Sequence, residues 1–337
     1  MKFIKYIIRR ILWLIPVLIG VTLIAFLVTR ILPGDPIQLL LGDNTSEEVK
    51  QAYVEKWGLD QPLYTQYFRY MGGLLQGDLG TSYLTNNPVS FDLMKKLPAT
   101  LELVIMALFI SVVIGIFLGI VAAIKRNSII DHITRVIVLI GTIMPPFWIG
   151  LLLVYFFFYQ LGIMPAPSGR LPMGITFSAD ATGFILIDTL LAGRVDLFWL
   201  AAKQMFLPVF TIVMETLAAI CKLTRSSMIS TMGMEYIKMA KASGIPLRTV
   251  YGKYALKNGL LPVITSVGMT FSFAVGGIVL VEKIFSWPGI GLYAINALGV
   301  SDYPAIQGFV LLCALVYLIV FFIVDILYFA VDPRIKY

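Results

Sequence analysis

The chain has almost none of the residues that hold transition metals or form disulfides. Its 337 residues include one histidine, His132, and two cysteines, Cys221 and Cys313, which stand in separate apolar runs. This inventory provides no disulfide framework and no Cys/His cluster for a metal. The G-x-S-x-G and H-E-x-x-H patterns of hydrolases and metalloproteases are also absent. We therefore expect neither a metal site nor an enzyme.

Charged residues are scarce as well. They make up 13% of the chain, whereas about 25% is usual in soluble domains. Hydrophobic residues reach 59%, and the mean hydropathy is +0.89. Such a chain cannot cover a water-facing surface, so we predict an integral membrane protein in the lipid bilayer. The net charge of +7 comes from cations spread along the chain, which argues against a nucleic-acid-binding domain.

A nucleotide-binding loop is also missing. The pattern G-x-x-x-x-G-K-[ST] cradles phosphates with backbone amides. Its nearest fragment here is Gly252-Lys253, which is followed by Tyr254 and lacks the upstream glycine. We therefore expect this chain to bind no ATP in that way and no other cofactor.

The apolar runs are long enough to cross a membrane, which takes about 20 mostly apolar residues. Five are free of charge, and only Glu215 interrupts a sixth. The runs are residues 11–29, 103–124, 136–160, 204–221, 258–281 and 303–324. We therefore predict an all-α integral membrane protein with six transmembrane helices. Residues 184–193 (FILIDTLLAG) are too short for a span, which favours an outer-face helix or a re-entrant segment.

The placement of lysine and arginine predicts the orientation, because cytoplasmic loops are enriched in both. With the N-terminus inside, 16 cations and three acids lie on the cytoplasmic side, against ten cations and 13 acids outside. Both termini are therefore predicted to be cytoplasmic. The basic start resembles a signal peptide, but its apolar run is full-length and lacks a cleavage site. We interpret it as an uncleaved first helix.

Residues 31–98 form a polar insert after the first helix. Thr45 to Glu48 (TSEE) predict a capping box with Thr45 as N-cap, and Gly58 predicts the end of that helix. We divide the chain into an N-terminal segment with the first helix (1–30), a helical extracytoplasmic insert (31–98) and a five-helix core (99–337). The insert has two interpretations, a lid on the outer membrane face and a direct substrate site.

A cytoplasmic loop, residues 226–258, combines small residues with cations. Its first half favours a helix, and Gly244-Ile245-Pro246 predicts a break. Small side chains let another surface approach closely. The positive-inside rule accounts for the charge but not for the small-residue cluster, so we interpret the loop as a docking site for a cytoplasmic partner that supplies energy. The residues assigned to this surface are Lys238, Ala240, Lys241, Ala242, Ser243, Gly244, Pro246 and Arg248.

Three carboxylates stand in or near the apolar runs, where a charge at the bilayer centre costs at least about 2.5–3.5 kcal/mol. Glu102 and Asp325 lie near span ends, so capping, interface contact and function are all open. Glu215 lies mid-span and, with Ser272, is the candidate for a polar translocation pathway. The alternative for Glu215 is a hydrogen bond to a neighbouring helix.

The third outer loop contains EKIFSWPGIGLY, in which Trp287-Pro288-Gly289 predicts a tight turn. Phe285, Trp287, Pro288 and Gly289 are candidates for an outer gate. Because Phe285 and Trp287 also suit the membrane interface, anchoring alone would explain them.

Several motifs carry a family resemblance. The stretch EYIKMAKASGIPLRTVYGKYALKNGLLPVI resembles a cytoplasmic EAA motif, with Ala240, Gly244, Asn258 and Pro262 at its characteristic positions. The other motifs are LPGDP (32–36), WGLDQPLYTQY (57–67), GDLGTSY (77–83), LTRSSM (223–228), EKIFSWPGIG (282–291), DYPAIQG (302–308) and DPRIKY (332–337). In these motifs the chain is similar to permease subunits of binding-protein-dependent ABC importers of the dipeptide/oligopeptide/nickel group. It departs from that family at Glu215, where an apolar residue is expected.

The resemblance implies a type I ABC importer transmembrane fold and the import of short peptides. Among these, dipeptides are the expected substrates. It implies a second homologous permease subunit, two ATP-binding subunits that carry ATP and Mg²⁺, and an extracytoplasmic peptide-binding protein. The binding protein is expected to contact the outer loops, including residues 285–289. Each ATPase receives a coupling helix, here within the coupling loop of residues 226–258. Nickel chelates and other small peptide-like solutes are the alternative substrates.

Two rival functions stay open on the residues alone. A proton-coupled secondary transporter would use Glu102, Glu215 and Asp325 as proton sites, although we find neither internal repeats nor paired broken helices. A membrane scaffold or sensor without transport would have no ATPase partner.

Overall fold

The computed structural model describes residues 2–31, 36–42, 45–178 and 181–331. Over these ranges the regular secondary structure is helical, with one isolated bridge between Thr81 and Pro88. The helices are α1 (Lys2–Ile31), α2 (Pro36–Leu41), α3 (Glu47–Trp57), α4 (Leu63–Leu75), α5 (Val89–Ile124), α6 (Ile129–Ile143), α7 (Pro146–Leu153), α8 (Ile185–Leu191), α9 (Val195–Met232), α10 (Glu235–Ala242), α11 (Leu247–Thr249), α12 (Leu256–Gly259), α13 (Leu261–Gly277), α14 (Val279–Ile284), α15 (Ile290–Gly299) and α16 (Tyr303–Val331). Wider π-helical turns extend α7 (Val154–Gln160) and join α11 to α12 (Val250–Ala255). Most of the LPGDP motif (32–35) and all of DPRIKY (332–337) lie outside the described residues.

Four of the described helices are long and apolar enough to cross a membrane. They are Leu12–Ile31 within α1, all of α5 and α9, and Tyr303–Ile326 within α16. Two bent pairs bring the number to six if each pair forms one span. These pairs are α6 with α7 and its extension, and Leu247–Gly259 with α13. The prediction of an all-helical membrane protein is therefore confirmed, with four to six candidate spans in the described residues.

The third predicted span, residues 136–160, is not one straight helix. Helix α6 ends at Ile143, and α7 begins at Pro146 after a bend of 104°. Pro145 and Pro146 have no N–H with which to continue α6, and a residue before proline is pushed toward extended backbone. Met144 follows this rule, with φ −81° and ψ 123°. This span was predicted only from its absence of charged residues, and that criterion does not detect a break in a helix.

The chain divides into two compact units. The first consists of Met1–Thr100 and Pro288–Leu318, and the second of Leu101–Trp287 and Ile319–Tyr337. Within the first unit, the buried Asp302 joins the insert to α16. Its carboxylate accepts hydrogen bonds from the Ser82 hydroxyl (2.6 Å) and from the Ala305 N–H (3.2 Å) in the first turn of α16. A carboxylate in this position also complements the positive end of the helix dipole.

Within the second unit, Glu102 fastens residues 161–200, which the cation count predicts to be the second outer loop. Its buried carboxylate accepts from the Arg170 guanidinium (2.7 Å) and from the Leu186 N–H (2.9 Å) at the start of α8. Asp188 closes the loop before α8 by accepting from the Thr182 and Gly183 N–H groups (2.9 and 3.0 Å). Residues 184–193 thus contain a short helix, as predicted, and not a further span.

One detail of the insert was predicted wrongly. Helix α3 begins after Ser46, which makes no side-chain capping bond. The Thr45 hydroxyl donates instead to the Leu41 carbonyl (2.8 Å), because α2 ends there with carbonyls that lack helical partners. The predicted end at Gly58 is confirmed, since this residue adopts the left-handed conformation (φ 66°) that favours glycine.

Candidate coupling surface and translocation cavities

The loop between α9 and α13 is folded around a sharp turn. Helix α10 ends at Ala242, Gly244 adopts a left-handed φ of +74°, and α11 begins after Pro246. The predicted break at Gly-Ile-Pro is therefore confirmed. The turn gives the segment two faces, one toward the protein and one away from it.

The inner face of this loop is anchored in an apolar core. The fully buried members of the core are Ala123, Met228, Ile237, Val250 and Ala255, and the half-buried Ala240 and Ile245 pack against them. Two polar contacts support the same packing, since the Asn258 amide donates to the Tyr236 hydroxyl (2.8 Å) and the Lys241 ammonium lies over the Tyr251 ring (5.1 Å). The loop is thus attached to the end of α9 and does not hang free.

The outer face presents most of the residues that the sequence assigned to a docking surface. All but Ala240 are exposed, namely Lys238, Lys241, Ala242, Ser243, Gly244, Pro246 and Arg248. Two apolar side chains join them, because Met239 is 68% and Leu247 56% exposed. Ala240 points toward the core and supports the surface from behind. We call this exposed set, with Met239 and Leu247, the coupling surface.

A buried ion cluster lies at the start of α6, and it was missed by reasoning from sequence. Asp131 is fully buried, and its carboxylate accepts two bonds from Arg225 on α9 (2.6 and 2.9 Å). Arg135, one turn along α6, adds a third bond (2.7 Å). The cluster therefore ties α6 to the part of α9 that precedes the coupling surface.

Two cavities in the second unit meet at Glu215. One, of about 340 Å³, is lined by residues of α9, α13 and α14, and the other, of about 630 Å³, by α6, the Pro145–Pro146 bend and Lys222. Glu215 itself is exposed, and no hydrogen bond or ion pair to its carboxylate is present in the described ranges. The sequence left open a hydrogen bond from Glu215 to a neighbouring helix. The next residue, Thr216, makes such a bond instead, because its hydroxyl lies 2.6 Å from the Ser111 hydroxyl on α5. Ser272 lines neither cavity. Its buried hydroxyl donates to the Gly268 carbonyl one turn earlier in α13 (3.0 Å).

Comparison with known families gives two matches. Residues 115–337 match the family described as binding-protein-dependent transport system inner membrane component. The chain belongs to this family. Residues 3–104 match the N-terminal family of the same membrane components.

Curated relatives of this membrane component cover nearly its whole length. The dipeptide transport system permease protein DppB of Alkalihalophilus pseudofirmus is 40% identical over 332 residues, which is 98% of this chain and 99% of the relative. The DppB proteins of Escherichia coli K12 and Haemophilus influenzae are 39% and 42% identical, each over 99% of both chains. The chain is thus a multi-pass permease component of the cytoplasmic membrane and not an enzyme.

The outer turn of this permease divides its candidate residues by exposure. Phe285 and Trp287 are 3% and 0% exposed, so neither side chain is available for anchoring in the membrane interface. Gly289 is buried as well, and only Pro288 of the four is exposed. Of these four candidates, Pro288 alone therefore presents an exposed surface at this turn.

Glu102 is a poor proton carrier in this permease, since its carboxylate is held by Arg170 and by the α8 backbone. Asp325 is half-buried on α16. The hypothesis of a proton-coupled secondary transporter is rejected because the chain belongs to the family of binding-protein-dependent transport components. The positions of these carboxylates do not decide the question.

Proposed function

We propose that this permease is one of two homologous membrane subunits of an ATP-driven importer for dipeptides. The relatives are named as dipeptide permeases, which supports dipeptides as the substrates. A D,D-dipeptide permease relative from Escherichia coli K12, 39% identical over 322 residues, supports the same class. A glutathione permease relative at 33% identity supports the wider group of small peptide-like solutes as the alternative. An extracytoplasmic peptide-binding protein delivers the substrate, and two ATP-binding subunits hold ATP and Mg²⁺.

The proposed arrangement has six spans, with both termini in the cytoplasm and the insert (31–98) outside. The core after it (99–337) is the type I ABC importer transmembrane fold. The two bent helix pairs count as one span each in this arrangement. It places the coupling surface in the cytoplasm, where the ATPases lie. The cation count across the loops supports the same orientation.

The main support for this proposal is that the coupling loop has one exposed face and one buried face. Its exposed small residues fit a groove on a partner, and its inner face is buried against α9 through Ile237 and Met228. Closure of the ATPase pair on ATP binding would displace the loop, and the apolar core would pass that movement to α9. Docking must differ between the two states of the transporter, since only differential binding can shift their populations.

Gly244→Trp tests the coupling surface. No atom lies within 4 Å of a Cβ built on Gly244, so the indole would project from the surface and obstruct a docked partner. In proteoliposomes with the partner subunits, we expect ATP-driven dipeptide uptake to fall at least about tenfold, which is about 1.4 kcal/mol of coupling free energy. The amount of permease in the membrane should not change.

A matched control is Gly162→Trp, because Gly162 is also left-handed (φ +63°) with open space around it. It carries the same backbone strain but lies in the second outer loop. Gly244→Asn is the second control, since asparagine tolerates the left-handed region and adds little bulk. Full ATP-driven uptake by Gly244→Trp would overturn the docking assignment, and equal loss in Gly162→Trp would assign the effect to strain.

Glu215 is proposed as part of the translocation pathway, since this exposed residue lines both cavities. A negative charge there would attract the amino terminus of a peptide. Glu215→Gln is expected to reduce uptake about tenfold, equivalent to one charge-assisted hydrogen bond of about 1.5 kcal/mol. Docking of the ATPases, measured by co-purification, should be unaffected.

The control for this substitution is Asp196→Asn on the same helix, which removes an exposed charge whose partner Arg194 is also exposed. Uptake in that variant should equal that of the unaltered permease. If Glu215→Gln transports dipeptides at the same rate and affinity, Glu215 has no pathway role.

A further inference from the structure

One side of α9 is exposed where the helix passes the cavity of about 630 Å³. Glu215, Ala219 and Lys222 are exposed there, whereas residues 216–218 and 220–221 between them are buried. Spacings of four and three residues keep the exposed three on one side of the helix. The same three residues line the cavity, so this side of α9 forms one of its walls.

This wall presents two charges of opposite sign. Of the described residues that line the cavity, Glu215 and Lys222 are the ionisable ones. Neither side chain forms a hydrogen bond or an ion pair within the described ranges. Ionisable side chains within membrane spans are costly and usually face a cavity or a partner. Both charges are therefore available to a ligand inside the cavity.

The positive-inside rule offers a simpler reason for Lys222, which lies near the predicted cytoplasmic end of its span. A lysine that only sets the orientation needs no acid on its side of the helix and can extend to the lipid headgroups. Lys222 instead lines the same cavity as Glu215, two helical turns away. The rule explains the charge but not its place in the cavity.

The spacing of the two charged residues limits the length of a ligand that can contact both. Seven residues of α-helix rise about 10.5 Å. An extended dipeptide spans about 7 Å, and an ion pair of about 2.8 Å at each end brings the total to about 12–13 Å. The flexible four-carbon stem of lysine can cover the difference of about 2 Å. A tripeptide would need about 16 Å between the charges.

We infer that Glu215 and Lys222 together bind the two charged ends of a dipeptide. The Glu215 carboxylate accepts hydrogen bonds from the ammonium group of the substrate, and the Lys222 ammonium donates to the substrate carboxylate. Lys222 thus selects substrates with a free carboxyl end at dipeptide length. This inference rests on the proposed pathway role of Glu215 and adds the second contact, which determines length and orientation.

The test measures equilibrium binding to the full-length chain in lipid nanodiscs, with no ATPase or binding protein present. The probes are L-alanyl-L-alanine, its N-acetyl form, its C-terminal amide and tri-L-alanine. We expect the free dipeptide to bind at least about tenfold tighter than each of the other three. That factor equals about 1.4 kcal/mol, which is close to the contribution of one charge-assisted hydrogen bond.

Substitutions at the two positions should have reciprocal effects. Lys222→Gln should weaken binding of the free dipeptide about tenfold and leave binding of the amide unchanged, because the amide has no carboxylate. Glu215→Gln should weaken the free dipeptide by the same factor and leave the N-acetyl form unchanged. Lys222→Arg keeps the charge and should bind the dipeptide within about threefold of the unaltered chain. A purely structural role of Lys222 would weaken all four probes alike.

The matched control is Lys203→Gln, which removes an exposed lysine from the same helix outside both cavities. This variant should bind the dipeptide normally. No saturable dipeptide binding, equal affinity for the dipeptide and its amide, or equal weakening of the two in Lys222→Gln would overturn the inference. If Lys222→Gln fails to fold, the four probes on the unaltered chain still decide. Absence of ATP-driven uptake alongside normal binding in nanodiscs would contradict the proposed transport function alone.

Discussion

Replacement of Asp131 with asparagine is expected to lower the free energy of unfolding by about 3 kcal/mol. The carboxylate is fully buried and accepts bonds from two arginines, Arg225 and Arg135. An asparagine of the same shape leaves both guanidinium groups without a counter-charge. Loss of one partner from a buried ion pair costs about 3–5 kcal/mol, and the lower value applies because the Arg135 side chain is 48% exposed.

The measurement is thermal unfolding of the purified permease in nanodiscs, where about 3 kcal/mol corresponds to a midpoint lowered by roughly 4 °C, because a chain of 337 residues has an unfolding entropy of about 0.7 kcal/mol/K. Asp196→Asn is the control, because it makes the same chemical change at an exposed pair, where ion pairs contribute little. Arg225→Lys should give a smaller loss, since lysine keeps the charge but cannot form two parallel bonds. Equal midpoints for Asp131→Asn and the unaltered chain would show that the cluster does not hold α6 and α9 together.

Features of the fold and of the candidate site that depend on residues close together in the chain could be predicted from the sequence, whereas contacts between distant residues could not. Local signals worked well, because glycine and proline act on the backbone within a few residues. The break at Gly244 and Pro246 and the helix end at Gly58 were therefore predicted correctly. Pro145 and Pro146 give the same kind of local signal for the bend after α6. The bend was not predicted, because the span was assigned only from its lack of charged residues.

Long-range pairs could not be predicted from one sequence. Asp131 and Arg225 are 94 residues apart in the chain, and Glu102 and Arg170 are 68 apart. Taken singly, each acid looked like a loop charge or a helix-end residue. Only the packing of α6 on α9, and of the second outer loop on α5, shows that each has an arginine partner.

The coupling surface shows the same division. The small residues and cations that face outward were identified from their order in the sequence. The inner face was not, because Ile237 and Val250 lie on opposite sides of the turn and meet Met228 only in the folded chain. Exposure also separates Ala240 from its neighbours, although sequence alone gave it the same role.

The second large effect is expected at a glycine of α6. A Cβ built on Gly141 would overlap the Met214 carbonyl oxygen and would lie 2.9 Å from the Ala218 Cβ, both on α9. A rotamer change cannot relieve a clash with backbone, so the two helices would have to separate. Small residues serve this purpose wherever membrane helices pack closely.

We therefore expect Gly141→Ala to destabilise the fold by about 3 kcal/mol, at the upper end of overpacking costs. Gly20→Ala is the matched control, because Gly20 also lies within a candidate span but has no atom within 4 Å of its built Cβ. That substitution should be neutral or stabilising by about 0.5–1 kcal/mol, since alanine is the better helix former. Thermal unfolding in nanodiscs compares the two variants directly. If both unfold at the same temperature, the close approach of α6 to α9 at Gly141 does not contribute measurably to the stability of the fold.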